Sequence, residues 1–477
     1  MCFQDVEPLE SRQSVLQFAR NKMRFLALAA ATFLLISGVN ADAETVTFSI
    51  PQARQLARDA YLAGDVHLAN QLAHVLLQHD PKDAAALVLI AATAPTLGKP
   101  TEGRKAGRLA FRNTDSTVLK FEAAQFAAKA ALLEKRHGIS QFWLRRAAQV
   151  APNERAKERI IRDFGYVRSL NPWQTNVNLS FAPLSNINGG SDNDLLIIDD
   201  IWAVGVLSGD AKALSGYRLT ADARINRRLG HSETAATHIG LRFYQTLNAL
   251  SSEAKTLAPN AKGADYNFSM AEVSLRHIFS KNPKTGLYSA DLNLGHMWYG
   301  GESLASFGRL KFGRTLQLSP KVSANLQISA ERQWQVQGAN ADIYTFLASA
   351  AYILPNNDRI GGSLDIRNAQ SLNINSDYQS ASLQLSYALA KPIASAKVSF
   401  GIGASMRDYD RYRAGFFLVP DGRQDEKINA SISLFFEDLN YMGFAPTVSL
   451  NTSQTKSNIS RFNTTEFGLS VGFRSTF

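Results

Sequence analysis

Eight histidines and one cysteine are the side chains of this 477-residue chain best able to act as nucleophiles, proton carriers or metal ligands. Nucleophilic catalysis needs Ser, Cys or Thr beside a base, and a third group that orients the base. Metal-assisted hydrolysis needs ligands at fixed spacing, such as His-Glu-x-x-His. The sequence holds neither arrangement, and no Gly-rich phosphate loop. His231, His238, His277 and His296 stand singly beyond residue 171, while His67, His74, His79 and His137 lie in the Ala- and Leu-rich segment before it. There His67 and His74 read as packed or solvated helix residues. Cys2 has no partner for a disulfide or a thiolate cluster. The expectation is a protein that is not an enzyme and holds no cofactor or metal, so its chemistry is non-covalent.

The remaining chemistry is charge. A net charge of +10 and a pI near 9.5 suit nucleic acid, anionic lipid headgroups or an acidic partner. Basic runs interleaved with aromatic residues, which a nucleic-acid groove requires, are missing. Nucleic acid is therefore not expected. Lys and Arg instead read as flanking a membrane band and lining an aqueous interior. The mean hydropathy of −0.15 argues against many membrane helices. It leaves a membrane β-barrel open, because alternating strands average to near neutrality.

The elements that carry these charges fall into three segments. In residues 1–43, Arg20, Lys22 and Arg24 precede an apolar run from Phe25 to Ile36, and Ala41-Asp42-Ala43 follows. That is the order of a secretory signal, with an upstream extension that leaves Met1 or Met23 as the start. The apolar run is shorter than the ~20 residues that span a bilayer as a helix. A buried core helix is the competing reading.

Residues 44–170 carry a helical period through Leu56, Ala60, Leu68, Leu72, Val75 and Leu76, with Gly64 as a break and Asp80-Pro81 as a stop. With Pro81 as a closing proline, Leu56, Ala57, Gly64 and Ala69 occupy the small and apolar positions of a tetratricopeptide repeat. Ile90, Ala91 and Gly98 then recur one repeat later. A shorter third hairpin (Phe121–Leu133, Ile139–Val150) and a capping helix (Glu154–Ser169) complete the stack. Such stacks bind polypeptides on a concave face, the alternative being a spacer or plug-like scaffold. Arg104, Lys105 and Arg108 offer either a hold for an acidic partner or a solvated helix face.

Residues 171–477 change to dyad alternation. Phe467, Leu469, Val471, Phe473 and Phe477 alternate with Glu466, Gly468, Ser470, Gly472, Arg474 and Thr476. Tyr217–Asn226, Val322–Ala330, Ala381–Leu389 and Lys427–Phe436 do the same. About fourteen strands result, an even number as outer-membrane barrels require. Tight turns near Gly230-His231, Asn282–Thr285, Ser319-Pro320, Pro355–Asn357, Lys391-Pro392 and Asp438–Asn440 alternate with longer loops such as Asn248–Ala264, Tyr409–Asp425 and Ser453–Asn463. Trp298, Tyr299, Trp334, Phe416 and Phe417 fall near the expected outer strand ends, as an aromatic girdle should. The fold class is therefore helical repeats followed by an antiparallel membrane β-barrel, with the repeats in the periplasm and the barrel in the outer membrane of a Gram-negative cell. A terminal aromatic on an alternating strand is what the barrel-insertion machinery reads.

Asn171-Pro172-Trp173 with Ser185-Asn186-Ile187-Asn188, then Tyr441-Met442-Gly443-Phe444-Ala445-Pro446 and Ser457-Asn458-Ile459, ending at Phe477, resemble the surface lipoprotein assembly modifier (Slam) family. These are outer-membrane translocons of type eleven secretion. The resemblance marks Trp173, Ser185, Asn186, Asn188, Gly443, Phe444, Pro446, Ser457, Asn458 and Phe477 as signature positions. It implies a fourteen-stranded barrel that delivers surface lipoproteins or secreted binding proteins to the cell surface. Outer-membrane lipid, the client and a periplasmic chaperone would be its partners. The alternative is a passive porin-like diffusion channel with a periplasmic protein-binding domain.

Overall fold

The computed structural model describes residues 48–198, 201–280, 282, 286–441 and 444–475. They divide between Asn171 and Pro172 into two compact units. The expected leader at 1–43 and the signature positions Gly443 and Phe477 lie outside the described residues.

The first unit holds seven α-helices among the described residues: α1 (Ile50–Leu62), α2 (Val66–His79), α3 (Ala84–Thr93), α4 (Pro100–Arg112), α5 (Thr117–Leu133), α6 (His137–Gln149) and α7 (Glu154–Leu170). Asp65, Asp83, Ser116 and Asn153 each stand at a helix N-cap and accept a backbone N–H of the first turn. The core is built on alanine, including Ala57, Ala73, Ala91, Ala110, Ala124 and Ala127. Small residues let the helix axes approach closely. At Gly107 any Cβ would lie 2.9 Å from the Ala123 carbonyl oxygen, so α4 and α5 approach backbone to backbone.

The repeat period is visible in the turns. Gly64 and Gly98 both adopt positive φ, and the amide after each closes onto the preceding helix (Asp65 N to Ala60 O, Lys99 N to Ala94 O). The third turn makes the equivalent bond, Arg136 N to Ala131 O, but Lys135 takes the left-handed position that glycine holds in the other two. This is the physical content of the weakened third repeat.

The second unit is a closed barrel. Its strands are β1 (Trp173–Leu184), β4 (Gly216–His231), β5 (Ala235–Leu250), β6 (Phe268–Phe279), β7 (Gly286–Tyr299), β8 (Glu302–Ser319), β9 (Val322–Gln335), β10 (Ala341–Ile353), β11 (Arg359–Ser371), β12 (Tyr378–Ala388), β13 (Lys397–Tyr409), β16 (Arg423–Phe435), β17 (Phe444–Ser457) and β18 (Thr464–Ser475). All neighbours are antiparallel, and β1 closes onto β18 through Leu179↔Phe473 and Phe181↔Val471. The fourteen strands agree with the alternation count.

Alternation sets the two faces. Leu326, Ile328, Leu383, Leu385, Ile428, Ile432, Phe467 and Phe473 are all exposed outward, as a lipid-facing surface must be. Stacked or tilted aromatic neighbours line the rims outside, such as Phe181 with Tyr217, and Phe279 with Tyr288 and Phe312. Trp298, Tyr299 and Trp334 sit at strand ends as expected. Phe416 and Phe417 do not. They belong to a small hairpin, β14 (Tyr412–Ala414) with β15 (Phe417–Val419), that stands in a loop off the barrel wall.

Connections 232–234, 280–285, 320–321, 354–358, 389–396 and 436–443 form a short-turn end. The opposite end carries 185–215, 251–267, 410–422 and 458–463, together with shorter links at 300–301, 336–340 and 372–377. All the long loops belong to the arc running from β6 through β1 to β13. They contain structure that alternation does not announce: the hairpin β2 (Leu195–Ile198) with β3 (Ile201–Val206), the short helix α8 (Ser252–Leu257), and β14–β15.

Candidate functional site

At the long-loop end, backbone groups outside the ladder must find other partners, and short amide and hydroxyl side chains supply them. Pro183 has no N–H to give to the β1–β18 seam. Two residues on, Ser185 restores pairing: its N–H donates to Phe467 O at 3.0 Å, and its Oγ accepts the Phe467 N–H at 2.9 Å. Asn186 is buried and closes a tight turn, accepting the Gly190 N–H at 3.0 Å and donating to the Gly190 carbonyl at 2.8 Å. A Cβ at Gly190 would lie 2.1 Å from the Lys212 carbonyl oxygen, so only glycine fits there. Asn188 uses both ends of its amide. Its oxygen accepts from Gly190 and Leu214, and its nitrogen donates to the carbonyls of Asp210 and Lys212 at 2.7 and 2.9 Å.

The last loop is built the same way. Asn458 donates to the Gly422 carbonyl at 3.1 Å and accepts the Gln424 N–H at 2.9 Å. Ser457 Oγ accepts the Ile459 N–H at 3.2 Å. First and last loops are then joined through Ser460, whose carbonyl accepts Ser191 Oγ at 2.7 Å. Its own hydroxyl donates to the Leu195 carbonyl at 2.6 Å and accepts the Ile197 N–H at 2.7 Å. Ile198 and Ile459 are fully buried and pack with Tyr409, Tyr412 and Val419. A second apolar cluster joins Ile187 and Leu214 to Leu250, Ala254 and Ala258. Lumen-facing Arg218 grips the first loop from within, donating to the Ile187 carbonyl at 2.9 Å. Burial pushes Arg461 below its ordinary range, against the pull of Asp210 in the first loop. Together these contacts knit the long loops into a roof-like layer along the arc from β5 to β13.

Five of the signature positions thus meet in this roof: Ser185, Asn186, Asn188, Ser457 and Asn458. The other described signature positions lie elsewhere. Trp173 opens β1 at the short-turn end, with the Arg227 guanidinium 5.2 Å from its ring centre. Phe444 opens β17, and Pro446 sits opposite Phe473 with its carbonyl accepting the Phe436 N–H at 3.0 Å. Sequence reading missed Gly190, Ser191 and Ser460, although the density of Ser, Asn and Gly around the two loops carried the signal.

The mid-wall ion pairs gather on one side of the lumen. On β4 to β9, Asp222 binds Arg242 at 3.0 Å and Arg224 at 2.9 Å, Arg276 pairs with Asp291, and Arg309 pairs with Glu331 and, at 3.6 Å, with Glu272. On the facing arc the mid-wall of β12, β13, β16 and β17 is mostly small and neutral, while Asp365 and Arg367 of β11 stand at inward positions opposite Ser382 and Ser380. Ser382, Gln384, Gly401, Gly403, Ser431 and Asn451 sit there at inward register positions.

Two of the histidines, His74 and His296, have polar partners that use their rings without forming a catalytic arrangement. His296 shares hydrogen bonds with Ser303 and Ser306 at 2.7 and 2.9 Å on the outer face, and His74 faces Glu102 at 3.1 Å.

The family described as surface lipoprotein assembly modifier matches residues 173–477, the whole barrel with its roof. The chain belongs to that family. Membership and the closed barrel place it in the outer membrane, with lipid around its apolar face. Among solved structures, OmpT of Vibrio cholerae is similar at 7% identity, with a TM-score of 0.35, over 64% of this chain and 99% of that one. OccAB4 of Acinetobacter baumannii is similar at 9% identity with a TM-score of 0.32, over 63% of this chain and 97% of that one. The type III secretion translocator chaperone SycD of Yersinia enterocolitica aligns at 16% identity with a TM-score of 0.24, over 28% of this chain and 94% of that one. No curated protein matches the chain.

Proposed function

We propose that this Slam-family barrel delivers client proteins, either surface lipoproteins or secreted binding proteins, across the outer membrane to the cell surface. The observation that carries the reading is the family match over the whole barrel. β1 begins at the short-turn end, which is the periplasmic end in outer-membrane barrels. The helical repeats before it would then meet a client, or the chaperone that holds it, in the periplasm. A repeat stack suits that task, because its surface binds extended polypeptide.

Fourteen strands enclose a lumen narrower than the channel of 16–18-stranded porins. A client would therefore pass extended or partly folded, along the neutral wall of serine, glycine and asparagine. The barrel's work is binding and transport, not catalysis. Its own assembly would use the insertion machinery that reads the terminal aromatic row.

The roof separates this reading from a passive channel. Full-length protein in a planar bilayer should carry little steady current, and Asn188→Ala, which removes four hydrogen bonds from the first loop, should raise the open time. A large, steady, ohmic current from the unaltered protein would favour the porin.

A further inference from the structure

On the charged wall, the inward positions of five adjacent strands form the row His238, Arg276, Asp291, Lys311, Ser329. Above it lies a cavity of about 250 Å³. Five cations line it, Arg224, Arg242, Arg276, Arg309 and Lys311, against two carboxylates, Glu272 and Asp291. Asp222 and Glu331 at its edge are already bonded to arginines. Every carboxylate here is thus engaged by a guanidinium, and positive charge remains in excess. Lys311 carries that excess: among the described residues it takes part in no ion pair, and the acid opposite it in the register, Asp291, is held by Arg276. His238 also lines the cavity, and its Nδ1 is buried without a hydrogen-bond partner.

We propose that this cavity is an oxyanion site, in which Lys311 and the free N–H groups of the neighbouring arginines bind a phosphate or carboxylate group. A planar fork suits bidentate oxyanion recognition, and a mobile ammonium supplies a point charge beside it. Two sources have this chemistry: acidic side chains of a polypeptide in the lumen, and free inorganic phosphate. The site stands on the wall's geometry and does not depend on the translocon reading.

The test uses full-length protein folded in detergent and calorimetric titration, first with pyrophosphate and then with an oligoglutamate peptide. Binding of either supports the site, provided that Lys311→Met weakens it by about tenfold or more, the worth of one charge-assisted bond. Tighter binding of the peptide assigns polypeptide as the source, and tighter binding of pyrophosphate assigns the free anion. Lys311→Arg should keep most of the affinity, which guards against a variant that misfolds. Arg332→Met, on the outer face beside Asp342, should change nothing. Absence of binding by either probe, or equal affinity in the unaltered and Lys311→Met proteins, overturns the proposal.

Discussion

A loop that leaves the β-ladder must satisfy its peptide groups by other means, and Asn188 alone handles four of them. Aspartate could not donate to the two carbonyls, and serine could not span the four partners, so the amide is chemically specified. Asn186 and Asn458 follow the same logic with two backbone partners or more each. The helical unit holds the opposite case in Asp163, which is buried and whose Oδ1 has no hydrogen-bond partner. Burial raises its pKa, with Arg159 and Arg162 opposing. A carboxyl raised in the folded state gives stability at low pH that is lost as pH rises through the folded pKa. Asp163→Asn should therefore stabilise the helices by about 1 kcal/mol at pH 8 and by much less near pH 4. The midpoint of the helical circular-dichroism signal at 222 nm in the full chain reads this directly, and an equal change at both pH values would refute it. At this scale the sequence showed which asparagines stood out. It did not show their partners, because Ser191 meets Ser460 from 269 positions away and no local pattern encodes that distance.

Elements were more legible, because a strand's two faces are written in its own residues. The period-2 rows of β4, β9, β12, β16 and β18 needed no partner to be recognised, and the helical hairpins announced themselves through Gly64 and Gly98. The loop hairpins failed that reading. Phe416 and Phe417 look like girdle residues because aromatics mark strand ends, yet here a three-residue pairing lifts them off the wall. The helix Ser252–Leu257 is too short for its period to show. The face assignment makes a sharp prediction at the middle of β17. Leu450→Arg places a charge in lipid near the midplane and should cost about 2–4 kcal/mol. Its neighbour Asn451 faces the lumen, so Asn451→Arg should cost under about 1 kcal/mol. Urea midpoints of the refolded barrel in vesicles compare the two, and equal losses would contradict the register of β17 against β18.

At the scale of the whole molecule, two units with different physics share one chain. The barrel pairs its backbone within itself, as a structure in lipid must. The helical unit rests on an alanine core and capped turns. Part of its basic face is already occupied: Arg104 is mostly buried against Glu134 at 2.5 Å, while Lys105 and Arg108 are exposed. The barrel places its long loops on one arc and its mid-wall ion pairs on β4 to β9. The measurement that bears most directly on this account is the inventory of proteins exposed on the cell surface, taken with and without the gene. Deletion is expected to remove one or a few proteins from the surface. The full chain should restore them, whereas a version lacking residues 50–170 should reach the outer membrane and restore none. A surface inventory unchanged by deletion of the gene would contradict the translocon and leave the porin as the better description.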